Sequence, residues 1–209
     1  CMPAEGLDWM AKPEMLTDEE LLRLITVMVG LGIEQVRLTG GEPLLRRSLV
    51  DLVAGIAAIE PRPRIAMTTN GVGLERTAAA LAAAGLDRVN ISLDTTDPEH
   101  FRRLTRRDRI ADVFAGLAAA AEAGLTPVKV NAVAMRGVND IDAPDLLQWC
   151  LDRGYELRFI EQMPLDAQHA WDRGLMVTQA ELLERLGERF TLTPVPTRGS
   201  APAELFLVD

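Results

Sequence analysis

The chain has 209 residues, with 48% hydrophobic and 25% charged residues, a size and balance that suit one soluble globular domain with a substantial core. Its net charge of −9 and pI of about 4.8, with no dense basic run to offset them, argue against duplex DNA or RNA as a partner. The longest apolar runs, such as "LVAGIAAI", are too short to cross a bilayer, and two distant cysteines, Cys1 and Cys150, make no disulfide framework, which points to a reducing cytoplasm.

In chain order, "LTDEELLRLITVMVGLG" predicts a helix with Thr17 as N-cap and Glu20 as its capping-box partner, closed by Gly30 and Gly32. "EQVRLT" predicts a strand that runs into "GGEP". "RSLVDLVAGIAAIE" predicts a helix stopped by Pro61 and Pro63, "RIAMTT" a strand ending in "NG", and "LERTAAALAAAG" a helix. "RVNISLD" and "PVKVNAVAM" predict strands on either side of the helix "IADVFAGLAAAAEAG". "APDLLQWCLDRG" (helix), "YELRFIE" (strand) and "TQAELLERLGERF" (helix) follow, and "AELFLVD" predicts a closing strand beyond the loop-like "PVPTRGSAP". Alternating helices and strands with short connections are the pattern of parallel βαβ units. Spacing alone leaves an open doubly wound sheet and a (β/α) barrel equally available.

Side chains alternate across a strand. One face of the five strands is apolar: Val36 and Leu38, Ile65 and Met67, Val89 and Ile91, Val128 and Val130, Leu157 and Phe159. The other carries Arg37 and Thr39, then Ala66, Thr68 and Asn70, then Asn90, Ser92 and Asp94, then Lys129 and Asn131, then Arg158. Central parallel strands are normally apolar on both faces, and unpaired buried charge is costly. A shared cavity at the C-terminal ends of the strands accounts for the pattern, and its three cations favour a small anionic substrate such as a phosphate ester. The competing reading pairs these cations with Glu42, Asp94 or Glu161 in structural ion pairs.

Taken alone, "TGGEP", "TTNG" and "NISLD" are ordinary turns. Together with "CMPAEG", "RLTGGEPLLRR", "VKVNAVAMRGVND" and "RFIEQMP", in that order, they closely resemble the radical S-adenosylmethionine superfamily, and within it the GTP 3′,8-cyclase family of molybdenum-cofactor (molybdopterin) synthesis. The resemblance implies an α/β fold, a partial (β/α)6-type TIM barrel with parallel strands inside helices. It implies that residues 1–209 form a single barrel domain lacking its N-terminal strand, two of the three cysteines of the C-x3-C-x2-C cluster motif, and a C-terminal second-cluster region. On that alignment Cys1 is the third ligand of a 4Fe-4S cluster, and the chain alone is expected not to hold it. Gly41 gives a backbone contact to the S-adenosyl-L-methionine amino group, Glu42 shapes the turn, Ser92 contacts the cofactor and Met163 lies at its adenosine end. Arg37, Thr68 and Lys129 hold GTP, with Arg158 an inward arginine near substrate and cofactor; Lys129 and Arg158 are the expected catalytic pair.

The resemblance further implies a lyase that uses two clusters, an external electron donor, a homodimer, and transfer of the product to cyclic pyranopterin monophosphate synthase. Alternatives are another radical S-adenosylmethionine enzyme, a cluster-free barrel lyase or isomerase for phosphate esters, and a protein that binds GTP without turning it over. Cys150 is expected as a buried structural thiol, His100 and His169 as surface residues, Met28 and Met67 as core fillers, and "RRLTRRDR" as a solvated face.

Overall fold

The computed structural model describes residues 15–164, 172–196 and 203–209. The first helix, α1 (Asp18–Gly30), begins at the expected capping box: Thr17 Oγ1 accepts from the Glu20 N–H at 3.2 Å and the Glu20 carboxylate accepts from the Thr17 N–H at 2.8 Å. Strand β1 (Gln35–Leu38) follows, then α2 (Leu49–Ala57), β2 (Arg64–Thr69), α3 (Ala78–Ala83) and β3 (Arg88–Ser92). Next come α4 (Pro98–Thr105), α5 (Ile110–Glu122), β4 (Lys129–Val133), α6 (Ala143–Leu151), β5 (Glu156–Ile160) and α7 (Gln179–Gly187). Two short strands, β6 (Leu192–Pro194) and β7 (Phe206–Val208), close the chain.

Strands β1 to β5 form one parallel sheet in the order β1-β2-β3-β4-β5. A doubly wound sheet reverses its strand order at a switch point. Here the order never reverses, so right-handed crossovers put successive helices on the same side, and the sheet is the wall of a partial barrel. The apolar strand face meets those helices as expected: Ile65, Met67, Val89, Ile91 and Val130 are fully buried, in one core with Val53, Ile56, Leu81 and Leu117.

Several local expectations need correction. The predicted helix "LERTAAALAAAG" is split into a 3-10 turn (Leu74–Arg76) and α3, because Thr77 sits between them outside helical geometry, at φ −125°. Helix α4 was not anticipated, although Asp97 caps it through the Glu99 and His100 N–H groups and Pro98 starts it. The closing "AELFLVD" strand joins no parallel sheet. Its β7 pairs antiparallel with β6, whose strand lay hidden beside a loop-like sequence. Met28 is 44% exposed: α1 is apolar around most of its circumference, and only Ile25 and Val29 are buried, with Leu21 and Leu22 packed partly against the core. Met67 is a core residue as expected, and Cys150 is a free, fully buried thiol that burial pushes up to about 12. No described helix is long and apolar enough to cross a membrane.

Candidate functional site

The turn after β1 is the first structural element of the site. Gly40 has φ +139°, a conformation that a side chain resists, and Gly41 is exposed at the C-terminal end of the strand. Glu42 then turns back and fixes the loop. Its Oε1 accepts from the Leu44 N–H at 3.1 Å and from the Thr69 hydroxyl at 2.6 Å, and its Oε2 accepts from the Asn70 N–H at 2.8 Å. The carboxylate joins "GGEP" to "TTNG", and among the described residues it takes no lysine or arginine as partner. Thr69 lies on the helix-facing side of β2, buried, and its Oγ1 also accepts from the Gly71 N–H at 3.1 Å.

The next strands are tied at the same end. Asp94 accepts from the Val133 N–H at 2.8 Å, and burial raises its carboxyl above the ordinary value against that hydrogen bond. Asn139, buried, donates to the Asp94 carbonyl at 2.7 Å and the Val133 carbonyl at 3.0 Å while accepting from the Met135 N–H at 2.8 Å. Thus "VAMRGVND" is a loop built to close on the ends of β3 and β4. Asp140 completes it, accepting from the Gly137 N–H and from Arg185, both at close range (2.8 and 2.7 Å).

Register assembles the polar face of the sheet. Thr68 is level with Asn90, Asn90 with Lys129, and Lys129 with Glu156; Ser92 is level with Asn131, and Asn131 with Arg158. Arg37 reaches across to donate to Thr68 Oγ1 at 3.2 Å. Partial burial, together with repulsion from the guanidinium groups of Arg88 and Arg158, pulls Arg37 below the ordinary arginine value. Arg37, Thr68, Lys129 and Arg158 therefore share one space. The ion pairs of the competing reading, to Glu42, Asp94 or Glu161, are not found among the described residues; the one ion pair on this face joins Lys129 to Glu156, with side chains 17% and 50% exposed, and was not foreseen. The buried Oδ1 atoms of Asn90 and Asn131, on the same face, have no hydrogen-bond donor among the described residues. Both can accept from an N–H or O–H of a ligand.

Ser92 is exposed at the end of β3 and lines a cavity of about 670 Å³ with Asn70, Asp94, Phe101, Arg107 and Arg109. That volume is in the range of small-ligand sites. The solvated "RRLTRRDR" run accordingly contributes its last arginines to the rim. Met163, just beyond β5, is 57% exposed. Cys1 and His169 lie outside the described residues. His100 is not a free surface residue: its Nδ1 is 2.7 Å from Asp142 Oδ2, which also accepts the Thr95 hydroxyl at 2.6 Å. Arg88 and Glu156 are the site-facing charges that sequence reasoning missed. The alternation that selects Asn90 and Arg158 extends by two residues to each of them.

The described residues fit one half of the expected cofactor pair. Among them no group of three or more His, Cys, Asp or Glu could hold a metal, so the donor set of an iron–sulfur cluster is not among them. The glycine turn, the exposed Ser92 and the two orphaned asparagine oxygens do suit an organic ligand with amino and hydroxyl groups.

An incomplete parallel barrel with a polar, cationic lumen and glycine-rich turns at its C-terminal rim defines an α/β enzyme-type domain. The sequence profile of the radical SAM superfamily matches residues 1–150. The chain belongs to that superfamily. It is 64% identical over 212 residues to GTP 3′,8-cyclase of Streptomyces coelicolor, a match covering 100% of this chain and 62% of that protein. It is 59% identical over 211 residues to GTP 3′,8-cyclase of Mycobacterium sp. (strain KMS), covering 100% and 60%. GTP 3′,8-cyclase 2 of Mycobacterium tuberculosis (strain H37Rv) is 57% identical over 211 residues, covering 100% and 59%. The chain thus spans about three fifths of these relatives' length. Among solved structures, Escherichia coli coproporphyrinogen III oxidase (HemN), a radical SAM enzyme, superposes with a TM-score of 0.56 at 16% identity, covering 80% of this chain and 42% of that one. A radical SAM methyltransferase from Sphaerobacter thermophilus gives 0.56 at 18% identity, covering 83% and 55%. These likenesses bear on fold.

Proposed function

We propose that this chain is the barrel portion of a GTP 3′,8-cyclase, a lyase of molybdenum-cofactor synthesis that converts GTP to (8S)-3′,8-cyclo-7,8-dihydroguanosine 5′-triphosphate. The observation that carries the reading is the lumen in which Arg37, Thr68, Lys129 and Arg158 share one space inside an acidic protein. The 64% identity to a curated cyclase supports the choice of GTP over other anions.

On this reading the triphosphate lies against Arg37, Lys129 and Arg158, which neutralise its charge in a partly desolvated space. Thr68 accepts from Arg37, which leaves its own hydroxyl hydrogen for a phosphate oxygen. Asn90 and Asn131 accept from ribose hydroxyl or guanine N–H groups. Gly41 and Ser92 hold the amino-acid part of S-adenosylmethionine, Met163 its adenosine end, and Cys1 is one thiolate of the cluster. The cluster and cofactor, when bound, supply the carbon radical that removes the ribose C3′ hydrogen. The protein's own contribution is orientation: strands held in register by Glu42, Asp94 and Asn139 fix C3′ and guanine C8 for bond formation and lower the entropic barrier. The remaining strand and the other cluster ligands would come from sequence flanking these residues. The same reading makes the protein a cytoplasmic homodimer, supplied by an external electron donor, that passes product to cyclic pyranopterin monophosphate synthase.

The test is anaerobic turnover of the full-length, cluster-reconstituted protein with GTP and S-adenosylmethionine. Cyclised product formed with 5′-deoxyadenosine is expected. Binding should show Lys129→Ala weakening GTP about 10-fold or more, as for loss of a charged hydrogen bond, with S-adenosylmethionine little changed. Cofactor cleavage without cyclised GTP, or equal loss of both ligands, would refute it.

A further inference from the structure

The lumen holds more positive charge than the strand pattern singled out. Arg88 opens β3, and register sets it level with Ala66 on β2, which is level in turn with Arg37 on β1. The residue between the two arginines is thus a small alanine, and both guanidinium groups have room to reach the same volume. Their partners are neutral. Arg88 donates to Gln35 Oε1 at 3.2 Å, and Arg37 to Thr68 Oγ1 at 3.2 Å. Arg158 makes no hydrogen bond or ion pair among the described residues, and Glu156, a carboxylate on the same face, is engaged by Lys129.

Arg37 lies across one alanine from Arg88 and feels the charge of both Arg88 and Arg158, and three arginines with neutral partners or none form a costly arrangement unless a polyanion joins them. One phosphate needs one or two such groups; a cluster of three suits a chain of phosphates, each arginine offering a fork of donors. We propose that Arg88 is the third guanidinium of a polyphosphate clamp, contacting the triphosphate together with Arg37 and Arg158 and selecting nucleoside triphosphates over monophosphates. This rests on the GTP reading of the site and adds a residue and a selectivity to it.

The experiment measures binding of GTP, GMP and inorganic tripolyphosphate to the full-length reconstituted protein and to Arg88→Gln and Arg88→Lys. Arg88→Gln is expected to weaken GTP and tripolyphosphate about 10- to 50-fold and GMP less than about 3-fold, with Arg88→Lys recovering part of the loss. S-adenosylmethionine affinity and melting temperature, unchanged in Arg88→Lys, exclude general damage. Equal losses for GTP and GMP, or no loss for tripolyphosphate, would overturn the clamp. If tripolyphosphate binds with the expected Arg88 dependence but GTP does not displace it, the clamp stands and the GTP reading falls. If Arg37→Gln and Lys129→Ala abolish GTP binding while Arg88→Gln does nothing, the reading stands and the clamp falls.

Discussion

Lys129 and Glu156 are register partners on adjacent parallel strands, and their side chains form an ion pair on the polar face of the sheet. The lysine is mostly covered and the carboxylate half exposed, so the pair can open toward solvent from the glutamate side. A phosphate arriving at Lys129 must displace Glu156 or accept its repulsion. Glu156→Gln keeps the shape and removes the competing charge. GTP affinity measured by calorimetry is expected to rise about 3- to 10-fold, near 1 kcal/mol. The gain should vanish in a Lys129→Ala background, as a double-mutant cycle would report. Weaker binding in Glu156→Gln would mean that the carboxylate positions the lysine instead.

Gly116 lies in α5 where the helix crosses the "TTNG" turn. A Cβ there would overlap the Gly71 carbonyl oxygen and meet Leu74 Cβ at 3.3 Å. The obstacle is backbone and cannot swing aside. Gly116→Ala is expected to lower unfolding stability by about 1–3 kcal/mol in a urea titration, the usual cost of overpacking. Gly187, also helical, has nothing within 4 Å, so Gly187→Ala should be neutral or slightly stabilising. Similar effects at both sites would show that the turn yields.

His100 hydrogen-bonds Asp142, and that bond, with the charges of Asp142 and Asp97, raises its pKa above 6.5 against desolvation and Arg103. A raised folded-state pKa contributes stability that is complete below the unfolded value near 6.5 and is lost as pH rises through the higher folded value. The side chain is 28% exposed, so the contribution is screened, below about 1 kcal/mol. Melting temperature followed across that window should fall more in the parent than in His100→Gln. Parallel curves would remove the histidine as the titrating group.

The strand faces were readable because alternation is a local property: each of Arg37, Thr68, Lys129 and Arg158 is placed by its immediate neighbours. The barrel order was not, since it depends on which strands pair, and spacing is the same for a sheet that reverses. Glu156 and Arg88 open their strands with no aliphatic residue directly before them, whereas Lys129, which also opens its strand, is preceded by Val128 and so fell within a visible rhythm. The helix at Pro98 carried a clear cap but only one buried apolar residue, Phe101, and so lacked the periodicity that marks a helix. His100 and Met28 differ from expectation because local sequence does not show what lies across from a helix: Asp142 meets His100, and nothing described covers the side of α1 that carries Met28.

The three bonds received by Glu42 come from two different loops. The two signature turns therefore cannot be exchanged separately. A chimera that imports the first from another barrel must import Thr69 and the backbone path through Asn70 with it, and natural drift at either is constrained by the other. Anyone redesigning this rim inherits them as a single cassette.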